Sequence, residues 1–440
     1  MQNPDARPGP LHWCALALFA VTAILSIAAV RLSIGPLPIR IATLLASGAC
    51  LALADAGRFR DAVGRSWRLI AVVAAVATLG VVVSILASAP PADLAQQVIE
   101  IHVQAIMSAV IAYALVLHFG VGPVLGCFLG AYALSAVVAL GQVLGVDPAW
   151  EARAAIGRLM RDPVLTQHWY VSRERALGLS FSPVHFGTQT CLALAASTFL
   201  RFARAGVDAR RLDWTLVGIT CLLVALAAVT GNRSPLLGML LFLIIYGLIT
   251  APRLVLIALP LLLLAAIALP LLLDDLSQAG VRVAETEDGS SAGRATLRAF
   301  GWFLIGQRPI GYGLTFDSVE HWASFAHRSI YMDNPLTYRQ WAIHNYYLNV
   351  MAKYGVLIVG IAAFILPRNR VQAWLWLGFV PYLVHIFYHN DGPMQGDFLI
   401  FFILPAALFL ASRSPGVGGE RSARAASGRS WRRAFAEPVA

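Results

Sequence analysis

The stretch WAIHNYYLN, residues 341–349, sets His344 and Asn345 directly before a run that turns apolar. An imidazole, with an unperturbed pKa of about 6.5, is the side chain best matched to taking a proton from a hydroxyl at neutral pH, and such help is typically worth about 10²–10⁴ in rate. His344 is therefore a candidate general base, with an interfacial histidine bonded to a carbonyl as the plainer account of the same residue. Arginine supplies the complementary chemistry, because a guanidinium is always charged, planar and bidentate and so suits a diphosphate. In TGNRSPLLGML, residues 230–240, Arg233 sits in a turn of very few residues between two apolar runs. In GRATLRAFGWFLIGQRPIGYGLTF, residues 293–316, Arg294 and Arg298 stand four apart with Leu297, Phe300 and Trp302 interleaved. That spacing suits an amphipathic helix lying along a membrane surface with both guanidiniums on one face. Arg233 alone reads as a lipid-headgroup anchor, and the helix alone as a solvated interfacial one. One base together with two or three arginines spells transfer from a phosphate ester.

Two other polar stretches compete for attention. Residues 146–180 carry Arg153, Arg158, Arg161, Arg173 and Arg175 beside Trp150, His168 and Trp169, a set that would grip an anionic lipid or a core saccharide, or sit among headgroups. YHNDGPMQGD, residues 388–397, holds His389, Asp391 and Asp397 in a short turn, where Asp391 could orient a base but a capped turn is the simpler account. In RPIGYG, residues 308–313, Pro309 fixes φ while Gly311 and Gly313 permit positive φ, which is turn chemistry. The five cysteines fall within or at the ends of apolar runs at spacings that fit no metal site, so neither a disulfide nor zinc is expected, and no cofactor.

The elements that must hold these residues are membrane helices. With 58% hydrophobic and 13% charged residues, and a mean hydropathy of +0.70, the chain is too apolar for a water-soluble globule. Its net charge of +10 is scattered among short loops with no aromatic-studded basic domain, so nucleic acid is excluded as a partner. Apolar stretches recur from end to end, and about twelve spans are expected, beginning near residues 11, 35, 69, 98, 121, 182, 212, 235, 254, 345, 371 and 396. The short basic loops, with Arg58, Arg60, Arg65 and Arg68, then Arg201, Arg204, Arg210 and Arg211, then Arg253, then Arg368 and Arg370, are cytoplasmic by the positive-inside rule. Both termini then face the cytoplasm, and the long segments of about 146–180 and 274–344 fall on the opposite, outer side. Residues 1–412 are read as one all-α, polytopic membrane domain, and 413–440 as a basic cytoplasmic tail near anionic lipid.

NRSPLLG after a span, a long outer loop with GRATLRAFGWFLIGQRPIGYG, and then HNYYLNVMAKYGV together resemble the O-antigen ligase and O-antigen polymerase superfamily over roughly residues 175–360. The pattern is an arginine in a Ser-Arg type of turn, an arginine ahead of a Pro-x-Gly-x-Gly turn, and a His-Asn pair opening the next helix. This chain has Asn-Arg-Ser where Ser-Arg is usual, which leaves the arginine in place. The resemblance implies a lipid-dependent glycosyltransferase of the GT-C architectural type in the bacterial inner membrane. It implies His344 as the base, with Arg233 and Arg294 on a donor diphosphate. Arg298, Asn345, Arg175 and Asp391 complete the expected substrate-binding set. The implied donor is an undecaprenyl-diphosphate-linked polysaccharide, and the implied acceptor is a sugar hydroxyl of lipid A-core. Polymerisation of one lipid-linked glycan onto another is the nearest alternative. A secondary transporter is the alternative of a different class, disfavoured because polar residues collect on one face rather than at mid-span.

Overall fold

The computed structural model describes residues 8–30, 32–34, 37–160, 173, 175–205, 212–255, 289–329, 342–363, 370–390, 392–393 and 398–413. In chain order the helices used below are α1 (Pro10–Ile27), α2 (Ile39–Ala54), α3 (Ala56–Arg65), α4 (Trp67–Leu86), α5 (Pro91–Gln97), α6 (Gln104–Phe119), α7 (Val121–Val143), α8 (Asp147–Met160) and α9 (Pro183–Ala205). They continue with α10 (Trp214–Val229), α11 (Arg233–Thr250), α12 (Gly289–Gln307), α13 (Trp322–Ser329), α14 (Tyr346–Tyr354), α15 (Ile358–Ala363), α16 (Arg370–Phe387) and α17 (Ile400–Arg413). A hairpin of two-residue strands, Ser33–Ile34 with Leu37–Pro38, interrupts an otherwise helical chain.

Among the described residues five helices are long and apolar enough to cross a membrane: α1, α4, the continuous Pro91–Phe119 run, α7 and α11. The α2–α3 pair, bent by 119°, makes a sixth only if the two are counted as one span, and α10, Trp374–Phe387 and Ile400–Ser412 are shorter apolar helices. This is a multi-pass, all-α membrane protein. The span expected near 254 lies outside the described residues. The span expected from 345 is instead broken: α14 stops at Gly355, whose φ of +79° no helix continues, and α15 restarts at Ile358.

The two ends of the bundle can be told apart from side-chain ties. At one end the His12 and His118 rings meet at a tilt, 4.3 Å between centroids, and Arg58 bonds His118 at 3.3 Å, which brings together the start of α1, the basic helix α3 and the end of α6. At the other end Gln189 of α9 donates to the Ile27 carbonyl at the end of α1 (2.8 Å). There too Gln142, near the end of α7, accepts from Leu177 and Gly178 at 2.9 and 2.8 Å. The start of α9 is thus at the end opposite the α3 arginines.

α9 is the central helix. Every residue from Phe186 to Phe199 is buried, so no face meets lipid and polar residues are tolerated if satisfied. Thr190 and Thr198 satisfy theirs by donating one turn back, to Phe186 and Leu194, each at 2.8 Å. α16 packs on α9 with Phe199 and Phe379 edge to face at 5.1 Å, and on α11 where Gly238 meets Pro381. A Cβ on Gly238 would stand 2.6 Å from the Pro381 Cα, so only glycine admits this approach.

Residues 289–354 build a second, smaller core. Leu297, Phe300 and Leu304 of α12 bury against Trp322 and Phe325 of α13 and Leu348 of α14, while Trp302 turns outward, 60% exposed. The RPIGYG turn closes this unit against α14: Tyr312 and Gly313 donate to the Ala352 and Lys353 carbonyls (2.8 and 2.9 Å), and Val356 donates back to Pro309 (2.9 Å). Gly311 and Gly313 take φ of +95° and +98°, as the turn chemistry requires.

Candidate functional site

Arg233 is the first residue of α11, at the end of the bundle where α9 begins. Between α10 and α11 the chain turns through Gly231, at φ +70°, and the extended Asn232. The free N–H groups of a helix start carry partial positive charge, so a guanidinium there deepens an existing attraction for anions. The turn is held from outside by Arg175, whose Nη2 donates to the Gly231 carbonyl at 3.1 Å and to Asn232 Oδ1 at 3.2 Å. Arg175 is itself held, because the segment after it is bonded through Leu177 and Gly178 to Gln142, and through Leu179 to Ser135.

Ser234, next in α11, is a junction. Its hydroxyl lies 2.9 Å from His385 Nδ1 and 3.0 Å from His389 Nε2, and the far nitrogen of His385 lies 2.9 Å from Thr188 Oγ1 in α9. The two rings stand 4.5 Å apart, one turn apart at the end of α16, and both are buried. Gly187 makes room: an added Cβ there would be 3.0 Å from both the His385 ring and Pro235.

Arg294 of α12, Arg175 and His344 lie close enough for their charges to act at this place. Burial pushes the His389 imidazole well below its ordinary value, and the charges of Arg294 and Arg175, with those of His385 and His344 whenever these rings are protonated, push the same way. Three of the residues singled out from sequence, Arg294, His344 and Arg175, therefore lie within electrostatic reach of one ring, and that ring bonds the neighbour of a fourth, Arg233.

His344 lies in the bend before α14, half-buried, with Nδ1 2.9 Å from the Ala342 carbonyl. A carbonyl only accepts, so Nδ1 carries the proton and the neutral ring keeps its lone pair on Nε2, the form a base needs. Asn345 is buried at the N-cap of α14. Its Oδ1 accepts from Leu348 N (3.0 Å) and its Nδ2 donates to the Phe387 carbonyl (2.9 Å), so the protein engages both ends of the amide. Arg298 is half-buried one turn beyond Arg294 on α12. Asp391 lies outside the described residues, as do Arg161, His168, Trp169 and Asp397.

The remaining arginines of 146–180 sort by their partners. Arg153 is fully buried and donates from Nε to the Ser180 carbonyl at 3.0 Å, so it props the Arg175 segment rather than facing headgroups. Arg158 pairs with Glu151 at 3.1 Å and Arg173 with Asp147 at 2.5 Å, both exposed. Among the described residues no group of three or more His, Cys, Asp or Glu is placed to hold a metal ion, and all five cysteines are free thiols. An apolar groove of about 440 Å³, lined by Tyr347, Leu383, Val384 and Phe387, opens beside the first turn of α14.

Sequence reasoning passed over His385, Thr188 and Ser234, and met His389 only in a competing turn. The available signal was the i, i+4 spacing of His385 and His389, which puts both rings on one helical face.

Residues 218–366 match the family model described as O-antigen ligase. Neither the curated proteins nor the solved structures gave a match to this chain.

Proposed function

The chain belongs to the O-antigen ligase/polymerase family, and from that premise we propose that it is an O-antigen ligase of the bacterial inner membrane, with its site on the periplasmic side and both termini in the cytoplasm. It moves a polysaccharide from undecaprenyl diphosphate to a sugar hydroxyl of lipid A-core. The observation that carries this reading is that Arg294, Arg175 and His344 lie within electrostatic reach of His389, with Arg233 one residue from the serine that His389 bonds. In this reading about twelve spans form a bundle of the lipid-dependent GT-C type.

The donor's diphosphate lies against Arg233 and Arg294, with Arg175 and Arg298 beside them, and the carrier's hydrocarbon runs along the apolar groove between α14 and α16. His344 Nε2 takes the proton of the acceptor hydroxyl. That oxygen attacks the anomeric carbon, the bond from this carbon to the diphosphate oxygen breaks, and the lipid diphosphate leaves with the bonding pair. Negative charge grows on the leaving group where guanidiniums already point, and one such donor is worth about 10²–10³ in rate. A single displacement inverts the anomeric centre. The diphosphate ester supplies the driving force, and the guanidiniums do the neutralising without a metal or cofactor. Asn345 acts through His344.

Polymerisation uses the same donor chemistry with a second lipid-linked glycan as acceptor. The large loop ahead of the histidine in the C-terminal third favours the ligase. With purified protein, an undecaprenyl-diphosphate-linked oligosaccharide and lipid A-core, mass spectrometry should find glycan on lipid A-core; a lengthened glycan still on the carrier would make the protein a polymerase. His344→Ala and Arg233→Ala should each lower transfer at least about 100-fold at unchanged expression. Parental transfer by either variant would remove that residue from the chemistry, and substrate flux without transfer would make the protein a transporter.

A further inference from the structure

The two side chains given the central roles above begin different helices, yet both helix starts dock on one helix end. The last carbonyls of a helix have no partner within it. In α16 one of these, Phe387 O, is taken by Asn345 Nδ2 at the start of α14 (2.9 Å), and one turn back Leu383 O also accepts from the Tyr347 hydroxyl (3.0 Å). His385 in this last turn of α16 and His389 in the bend just after it both face Ser234, in the first turn of α11.

The protons along this chain run one way. Thr188 Oγ1 donates to the Val184 carbonyl (3.3 Å), so it must accept from His385 Nε2–H. His385 Nδ1 then has only a lone pair, so Ser234 donates to it, and the Ser234 oxygen accepts from His389 Nε2–H. Each ring is a neutral, fixed tautomer, and none of these bonds can reverse without loss of another. An unbroken path thus leads from Arg233 through Ser234, the end of α16 and Asn345 to His344.

We propose that the last turn of α16 is the positioning element of the site: through His385, His389 and the Phe387 carbonyl it sets the distance between the phosphate-binding arginine and the base. Ser234, His385, His389 and Asn345 are then positioning residues, and their effect falls on the chemical step. A displacement of about 1 Å between reacting groups costs about 100-fold in rate.

This inference rests on the function proposed above, so the test carries His344→Ala as a reference. Transfer from an undecaprenyl-diphosphate-linked oligosaccharide to lipid A-core is measured for Ser234→Ala, for Asn345→Ser and for the double variant. Serine caps a helix about as well as asparagine but has no N–H to reach Phe387 O, so Asn345→Ser cuts the tether and keeps the cap. Each single change should lower kcat about 10- to 100-fold while donor KM moves less than about threefold. The double variant should fall within a few-fold of the worse single, because one path is cut twice, whereas the losses in Tm should add. Wild-type kcat for either single variant, or kcat losses that multiply, would overturn the proposal. If Ser234→Ala does not accumulate, Thr188→Val cuts the chain at its far end with little change in volume, and wild-type kcat there is equally fatal. Full transfer by His344→Ala would fail the catalytic reading; loss by His344→Ala with silent Ser234→Ala and Asn345→Ser would fail the positioning role alone.

Discussion

His389 is held neutral by burial first and then by the charges of Arg294 and Arg175. Folding therefore lowers its pKa below the unfolded value of about 6.5. Below that pH the unfolded chain binds a proton that the folded chain refuses, so stability is present above about pH 6.5 and is lost as the pH falls, by up to about 1.4 kcal/mol per pH unit for one such group. In detergent, Tm should drop as the pH goes from 7.5 to 5. His389→Asn should start lower, having lost the ring bond to Ser234, but should decline less steeply; parallel curves for the two proteins would show that His389 is not the group responsible. His344 and the arginines were legible in the sequence because charge is conspicuous beside apolar runs. His385 was not, because LVHIF reads as the end of a span. Serine and threonine in helices are too common to mark a junction, and only the fold brings Thr188 and Ser234, which are far apart in the chain, to opposite nitrogens of one ring.

The chemistry of the RPIGYG turn was open to inspection, but its partner was not. Gly355 lay inside what reads as one continuous span, and the backbone pairing of residues 312–313 with 352–353 joins segments that no local pattern connects. Through this pairing α12, which carries Arg294, is fastened to α14, which His344 precedes. At Gly311 a Cβ would lie 2.5 Å from Gly355 N and 2.8 Å from the Lys353 carbonyl, at a φ of +95° that side chains resist. Gly311→Ala should therefore cost more than about 1 kcal/mol and should lower transfer as well, because it separates the two helices that deliver an arginine and the base. Gly306, in the exposed last turns of α12, meets nothing within 4 Å, and Gly306→Ala should be neutral or stabilising by up to about 1 kcal/mol. Denaturation of the two variants side by side checks this, and equal stabilities would mean that the clamp bears no strain.

Across the whole molecule, apolar periodicity conveyed an all-α membrane bundle but not which helix is central. α9 is too polar to count among the long apolar spans precisely because it is enclosed on all sides, so a search by hydropathy misses the helix on which the site is built. The charge pattern carries the orientation. Arg58, Arg60 and Arg65 of α3 share one end of the bundle with the start of α1, while the first turns of α9, with Thr188, lie at the other. Short basic loops stay in the cytoplasm, and the proposed function accordingly requires the site to face outward, where a lipid-linked glycan and lipid A-core could meet. Single cysteines in a background with all five native cysteines replaced can test this in cells with permeabilised outer membranes. A cysteine at exposed Arg60 should be protected from a membrane-impermeant maleimide until the inner membrane is lysed, and one at exposed Glu320 should label at once. The reverse pattern would turn His344 toward the cytosol, and a base there could not serve a ligation carried out on the periplasmic face.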